Sequence, residues 1–254
     1  MGLRCVYTDL DGTLLGAGGS LFRDGDGAFT LLPARALEAC HRAGVEVVLK
    51  SGRRKAQVAE DARLIGQSAY IYEVGSGLVI DGEEQFLTGP FTPSDDRTTP
   101  HELIGESGAP ALLLSAYGDD LELHDPWHLD RHVSHVFRGR VDLAEANALL
   151  EREGLGDLRL IDNGAIAGGR RGYHLIPATA SKAAAVELHM RARGYLPEEC
   201  IAVGDSLEDL GVAPLVGRFY LVANALVGPG PNVVRTESGY GDGFYEVVVG
   251  ALVS

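Results

Sequence analysis

Apolar residues along the chain gather into short unbroken runs, separated by amphipathic stretches with a helical period, the alternation that builds layered α/β folds. The runs Cys5-Val6-Tyr7, Val45-Glu46-Val47-Val48-Leu49 and Cys200-Ile201-Ala202-Val203 read as buried strands, each opening at its carboxyl end onto Asp, Ser or Gly. Carboxyl ends of this kind are where open α/β sheets bind ligands. Pro33 at a first helical position, the spacing Ala36, Leu37, Cys40 and the stop at Gly44 predict a helix over 33–43. A second helix at 54–65 stops at Gly66, and strands at 69–73 and 77–80 follow, with Asp81-Gly82 as a hairpin turn. Late in the chain, Ser181 caps a helix running to Arg193 and stopping at Gly194, and Phe244 to Val253 reads as a packing helix.

The middle of the chain has a different texture. From Thr88 to Pro100 it carries three prolines, several Thr and Ser residues and the acidic pair Asp95-Asp96, as a crossing between domains would. Beyond it the pattern predicts a helix at 100–107, strands at 111–116 and 121–124, a helix at 143–153 capped by Asp142, and a strand at 158–162. Asp162-Asn163-Gly164 reads as a turn and Tyr173-His174-Leu175-Ile176 as a strand of the core. The expected organisation is a core at 1–87 and 172–254 with an inserted α+β unit at 88–171, Gly168-Gly169 and the Pro-rich stretch serving as hinges.

Composition narrows the chemistry. A net charge of −14 over 254 residues argues against a nucleic-acid or anionic-membrane partner, since both reward Lys and Arg. A divalent cation is more natural company for such a chain. Cys5, Cys40 and Cys200 are odd in number, sit in apolar surroundings and lack metal-ligand spacing, so reduced core residues in a cytoplasmic protein are expected. No apolar run approaches a membrane span, and Asp9 interrupts any signal-peptide pattern at the amino terminus.

The polar residues at the strand ends carry the candidate chemistry. Asp9 and Asp11 follow the first strand, and extended alternation sends both side chains the same way. Two such carboxylates raise each other's pKa unless a cation intervenes, and Mg²⁺ prefers oxygen ligands. The alternative is an Asp-Gly turn closing a hairpin. Gly16 to Gly27 holds five glycines and reads as a loop near the site, with a flap as one possibility. At the second strand end, Ser51, Gly52, Arg53 and Arg54 offer a hydroxyl, a permissive glycine and two guanidinium groups suited to phosphate, or a helix cap with exposed arginines. Lys182 at the first position of its helix opposes the helix dipole, which hints at a nearby anion. Asp205 ends a strand and Asp209 lies four residues on, so both can converge on the first acidic pair, although an acidic first turn is also ordinary helix design. His124, His128, His132 and His135 recur at near-helical spacing, but Pro126 interrupts them and a polar surface is the preferred reading.

Together, Asp9-Leu10-Asp11-Gly12-Thr13, Ser51-Gly52-Arg53, Lys182 and Gly204-Asp205-Ser206-Leu207-Glu208-Asp209 resemble, in order and context, the motifs of the haloacid dehalogenase (HAD) superfamily of phosphatases. The resemblance implies a Rossmann-like α/β core with a central parallel sheet, plus an inserted α+β cap of the sugar-phosphatase branch. Arg170-Arg171-Gly172-Tyr173-His174 and the stretch Gly241 to Glu246 are more weakly similar to mannosyl-3-phosphoglycerate phosphatases. It further implies that Asp9 attacks phosphorus to form an aspartyl-phosphate and that Asp11 acts as acid and then base. Ser51 and Gly52 would bind phosphoryl oxygens with Arg53 beside them, and Lys182 would neutralise developing charge. Mg²⁺ would be held by Asp9, Asp11 and Asp205, with Asp209 supporting. The substrate would be a small phosphorylated metabolite, met in the cap by Arg170, Arg171 and His174. The family often has Asn where Val74 and Glu208 stand. A phosphomutase and a non-catalytic phospho-ligand sensor are the alternatives on the same fold.

Overall fold

The computed structural model of the protein describes residues 2–95, 97–228 and 230–253; Asp96 of the predicted acidic pair lies outside them. Its strands, in chain order, are β1 (Cys5–Thr8), β2 (Glu46–Lys50), β3 (Ala69–Tyr72), β4 (Gly77–Ile80), β5 (Glu83–Phe86), β6 (Leu121–Leu123), β7 (His135–Gly139), β8 (Leu158–Ile166), β9 (Arg170–Pro177), β10 (Cys200–Gly204), β11 (Arg218–Leu221) and β12 (Val233–Arg235). The helices are α1 (Leu32–Ala43), α2 (Lys55–Leu64), α3 (Pro100–Glu106), α4 (Ala109–Tyr117), α5 (Leu143–Arg152), α6 (Lys182–Arg193), α7 (Leu207–Leu210) and α8 (Tyr240–Leu252). The class is α/β, as the alternation of runs implies.

Eight strands form the main sheet in the order β12-β11-β10-β1-β2-β3-β4-β5, parallel from β12 through β3 and antiparallel across the β3–β4–β5 extension. Strands β1, β2 and β10 are almost entirely buried, which is why they are continuous apolar runs rather than alternating ones. Asp81 and Gly82 both adopt positive φ between β4 and β5, the backbone that a two-residue hairpin turn of matching twist requires. Two apolar layers pack on the sheet, one containing Ala36 and Cys40 of α1 with Val247 and Val248 of α8, the other Ala185, Val186 and Met190 of α6. The three cysteines are free and buried, in line with their apolar surroundings.

Four strands form a second sheet in the order β6-β7-β9-β8, all neighbours antiparallel. Here the structure departs from several sequence expectations. Residues 111–116 lie in helix α4 rather than a strand, because Pro110 occupies its first turn and the leucines and alanines that follow are strong helix formers without β-branching. Strand β9 reaches back to Arg170 and pairs with both β7 and β8, so residues 172–177 lie in the smaller sheet and not on the core side of the expected boundary. Asp162-Asn163-Gly164 is not a turn but a bulge within β8, where Gly164 N donates to Asp162 Oδ1 at 2.7 Å and pairing resumes at Ala165. Gly168 and Gly169, expected at a hinge, form the tip of the β8–β9 hairpin.

Candidate active site

Parallel register places the site. Thr8 of β1 lies opposite Val203 of β10 and Leu49 of β2, so Asp9, Asp205 and Ser51 emerge together from the carboxyl ends of three adjacent strands. Lys182 joins them from the start of α6: its Nζ donates to Asp9 Oδ1 at 2.6 Å and to Asp209 Oδ1 at 2.9 Å. That approach depends on Gly75, at φ +86°, where a Cβ would lie 2.1 Å from the Ser181 carbonyl oxygen, so only glycine lets the loop press against the helix start. Gly12 plays the same part opposite Asp205, whose Oδ2 would lie 2.6 Å from a Cβ at position 12. Asp9, Asp205 and Asp209 each present a carboxylate oxygen, all within 4.8 Å of one another.

The charges are crowded and mostly buried. Burial pushes the Asp9 carboxyl up to about 7, with Lys182 opposing the shift and Asp209 adding to it. Burial followed by the neighbouring Asp209 raises Asp205 to about 6. Asp209 is fully buried, yet Lys182 and Lys50 outweigh its desolvation and hold it below the usual carboxylate range. Lys50, the last residue of β2, is the second ammonium: its Nζ donates to Asp209 Oδ1 and to the Val203 carbonyl at 3.1 Å. Burial pulls Lys50 down, whereas Asp209 and Asp9 hold Lys182 raised against its own desolvation, so Lys182 carries its charge securely. Sequence reasoning missed Lys50. A lysine inside an apolar run, just before the Ser-Gly turn, was the available signal.

The remaining predicted residues divide. Ser51 is buried at the second strand end, its Oγ accepting from Arg53 N at 3.1 Å, and Gly52 lies beside it. Arg53 does not face open space for a phosphate; its Nε and Nη2 donate to Asp11 at 2.7 and 2.6 Å, and its Nη1 to Asp61 at 2.9 Å. Asp11 is exposed, so the pairing sits at the mouth of the site, against which Gly19 of the glycine-rich loop also packs. Asp209 is converged with the others, but its Oδ1 is taken by two ammonium groups and its Oδ2 accepts from the Ser206 hydroxyl at 2.5 Å. Arg170 is bound to Glu122 at 2.5 Å, four residues, or about 13 Å of strand, from His174. Arg171 points to the opposite face of β9, paired with Asp162. Neither guanidinium is brought to the Asp9 cluster. His174 is 1% exposed, and among the described residues neither of its ring nitrogens has a hydrogen-bond partner.

Two contacts that the sequence did not announce join the core to the inserted unit. Glu73 is fully buried and accepts from the amides of His132, Val133 and Ser134 and from the Ser134 hydroxyl, at 2.6–3.1 Å. It does so from a strained loop, since Glu73 and Val74 take φ values of 45° and 60°, unusual for any residue with a Cβ and most of all for valine. Glu208 pairs with Arg159 of β8 at 3.1 and 3.2 Å, a charged pair that an amide at 208 would not form. Of the recurrent histidines, His135 stacks on His101 and His128 pairs with Asp125, while His132 packs against Phe86 and Tyr72, so the polar-surface reading gives way to separate local packing roles. A second group with metal-ligand atoms, Cys5, Glu46 and His189, lies at the amino ends of the strands. There Glu46 already accepts from Arg193 and Tyr195, and Tyr7 shares a hydrogen bond with His189.

No family model matches the chain. Among curated proteins it is similar to a phosphoglycolate phosphatase of Methanoculleus marisnigri, 28% identical over 97% of this chain and 95% of the relative. A phosphoglycolate phosphatase of Archaeoglobus fulgidus is 26% identical over 87% of this chain and 84% of its own length. Among solved structures, a phosphatase of the haloalkanoate (HAD) superfamily from Bacteroides thetaiotaomicron matches with a TM-score of 0.71 at 15% identity, covering 100% of this chain and 96% of that one. The sucrose-phosphatase of Synechocystis matches at 0.66 and 16% identity over 99% and 98% of the two chains. At these identities the structures speak for the fold.

Proposed function

We propose that this chain, which belongs to the haloacid dehalogenase superfamily of phosphatases, is a Mg²⁺-dependent phosphatase that hydrolyses a small phosphorylated metabolite through an aspartyl-phosphate on Asp9. One observation carries the reading: Asp9, at a buried strand end, is held by Lys182 at 2.6 Å with Asp205 and Asp209 converged beside it. The names of the curated relatives make 2-phosphoglycolate the first substrate to test.

The donor set fits Mg²⁺. Asp9 and Asp205 are hard oxygen donors whose carboxyls are both pushed up by burial and by neighbouring carboxylates, the imbalance that a divalent cation relieves. Asp9 and Asp205, with the Asp11 backbone, would hold the ion; Asp209, its oxygens occupied by lysines and Ser206, would support them. When bound, the ion supplies positive charge opposite the phosphoryl oxygens.

The chain's own groups account for the rest. The second Asp9 oxygen, not bonded to Lys182, attacks phosphorus while Lys182 offsets charge on the transferring group. Ser51 and the Gly52 amide receive phosphoryl oxygens at the adjacent strand end. Asp11 protonates the departing alkoxide and then takes the proton of the water that attacks the aspartyl-phosphate. Its pairing with Arg53 must open for that step, and its exposure at the mouth permits it. Residues 88–177, bounded by the strand pairing, act as the cap, docked by Glu73 and by the Arg159–Glu208 pair. Buried reduced cysteines suit a cytoplasmic setting, and among the described residues no helix is long and apolar enough to cross a membrane.

Phosphate release from a panel of monoesters with Mg²⁺ tests the proposal. Free phosphate is expected from a short phosphorylated acid. An isomeric phosphate ester as product would make the enzyme a mutase, and binding without turnover would make it a sensor.

A further inference from the structure

We infer that the face of the smaller sheet above Gly52 is a subsite for a carboxylate on the leaving-group end of the substrate, built by Arg131 and His174 with Asn163 and His124 at its rim. The inference rests on the phosphatase reading and adds to it a ligand class and the residues that select it.

The first observation is the orphaned ring of His174. Buried polar atoms in folded proteins are nearly always paired, and one left unpaired destabilises the fold. His174 has two, Nδ1 and Nε2, at 1% exposure. Its strand register shows where they look: His174 lies opposite Ile161, and Ile161 packs with Val74 of the strained core loop, so this face of β9 looks toward the site. Burial holds the ring neutral, followed by the charges of Arg131, His124 and Lys182. Of the charged groups that act on this neutral ring, Arg131 and Lys182 are cations.

Arg131 supplies the second, independent observation. It is half-buried, and its Nη1 donates to the Gly52 carbonyl at 2.7 Å while its Nε donates to the Trp127 carbonyl at 2.9 Å. The guanidinium has five N–H donors, and those two bonds leave most of one edge, including Nη2, for a ligand. Glu73 is the acid whose charge acts on it, but that carboxylate accepts from the 132–134 amides and the Ser134 hydroxyl. Arg131 is therefore a positioned cation, without a salt-bridge partner among the described residues, one peptide unit from the amide assigned to the phosphoryl group. Asn163 Oδ1 would lie 3.0 Å from a Cβ on Gly52, which puts the bulge of β8 at the same mouth. His124 and Asn163 both border Gly172, on the His174 face of β9.

Guanidinium and carboxylate match in planarity and charge, and a neutral imidazole N–H completes the set. The closeness of Arg131 to Gly52 favours a short molecule, with the carboxylate only a few bonds from the phosphate ester. A hexose phosphate carries no charge to satisfy the pair.

The test compares 2-phosphoglycolate with 2-hydroxyethyl phosphate, which differ only in carboxylate against hydroxymethyl. In Arg131→Met, kcat/KM for phosphoglycolate should fall at least tenfold further than for hydroxyethyl phosphate, and Arg131→Lys should recover part of that ratio. His174→Leu should lower the ratio too, yet raise the melting temperature of the ligand-free protein, because it removes two unpaired polar atoms. An equal loss on both esters in Arg131→Met, or a wild-type ratio in His174→Leu, overturns the assignment. Calorimetric titration of glycolate into Asp9→Asn separates this idea from the hydrolysis it rests on. Binding abolished by Arg131→Met supports the subsite even if the parent releases no phosphate, and no binding counts against the subsite whatever the turnover.

Discussion

The floor and the roof of the site are finished to different degrees. On the floor, polar groups satisfy one another: Lys182 bridges Asp9 and Asp209, Lys50 shares Asp209 Oδ1 with it, and Ser206 closes the second oxygen. On the roof, His174 is sealed from water with both nitrogens idle, and Arg131 is anchored by carbonyls alone. Groups that meet every phosphate ester can be built in advance, because the phosphoryl group and the cation do not vary, and preorganised dipoles lose nothing on binding. Groups that meet only one leaving group are left incomplete until it arrives, and the wrong ligand leaves them unpaired. The floor is expected to set the rate and the roof the choice.

The largest effect expected on the floor is that of Asp9→Asn. An amide is a poor nucleophile and a weaker ligand, so kcat should fall by about 10³-fold or more with every ester. The same change should stabilise the cation-free protein. The folded state raises the Asp9 carboxyl from its usual range to about 7, so it binds a proton more tightly than the unfolded chain, and stability is lost as pH rises from about 4 through 7. Removing that group should add on the order of 1–3 kcal/mol at pH 8 in chelator, a gain that shrinks toward pH 5. Thermal unfolding at the two pH values measures it. A pH-independent difference would mean that Asp9 is not the strained group.

Asp11→Asn should follow, with a loss of about 10²–10³-fold in turnover of an alkyl phosphate and a smaller loss with p-nitrophenyl phosphate, whose leaving group hardly needs a proton. Equal losses on both would assign Asp11 to holding Arg53 rather than to proton transfer.

Much of the floor was legible in the sequence because each residue sits at a strand end or helix start that local pattern fixes: Asp9 after β1, Ser51 after β2, Lys182 after the Ser181 cap, Asp205 after β10. Parallel register then does the assembly. Little of the roof was legible. Arg131 lies in a loop, and what directs it to Gly52 is the docking of the 132–134 amides on Glu73, contacts 59–61 residues apart in sequence. The Leu112-Leu113-Leu114 run suits a strand or a helix by hydrophobicity alone, and Pro110, which begins a helix well, is the residue that decides for the helix. Arg170 and Arg171 draw notice by their place near the expected boundary, yet alternation along β9 sends them to opposite faces, and cross-strand acids take both.

Glu73 joins the two halves, so Glu73→Gln tests whether the roof's position depends on the floor. The carboxylate accepts three amides and a hydroxyl, and an amide side chain would turn a donor toward some of them. The expected loss is about 2–4 kcal/mol of stability, with KM for the acidic substrate raised more than kcat is lowered. Unchanged KM would show that the roof holds its place without this contact.

The smallest effects are expected at Arg170 and Arg171, and they sharpen the comparison by elimination. Each guanidinium is about half exposed and already paired, Arg170 with Glu122 and Arg171 with Asp162, and exposed pairs of this kind contribute about 0–1 kcal/mol. Glu122 keeps Arg138 at 2.7 Å when Arg170 is removed, so no buried charge is stranded. Asp162 also accepts from Gly164 N, which holds the bulge without help from Arg171. Each Ala substitution should therefore leave kcat/KM for 2-phosphoglycolate and 2-hydroxyethyl phosphate within about twofold of the parent. If Arg170→Ala selectively weakened the acidic ester, the choosing surface would extend along β9 past Gly172 to Glu122. The short-ligand argument from Arg131 and Gly52 would then give way to a longer substrate.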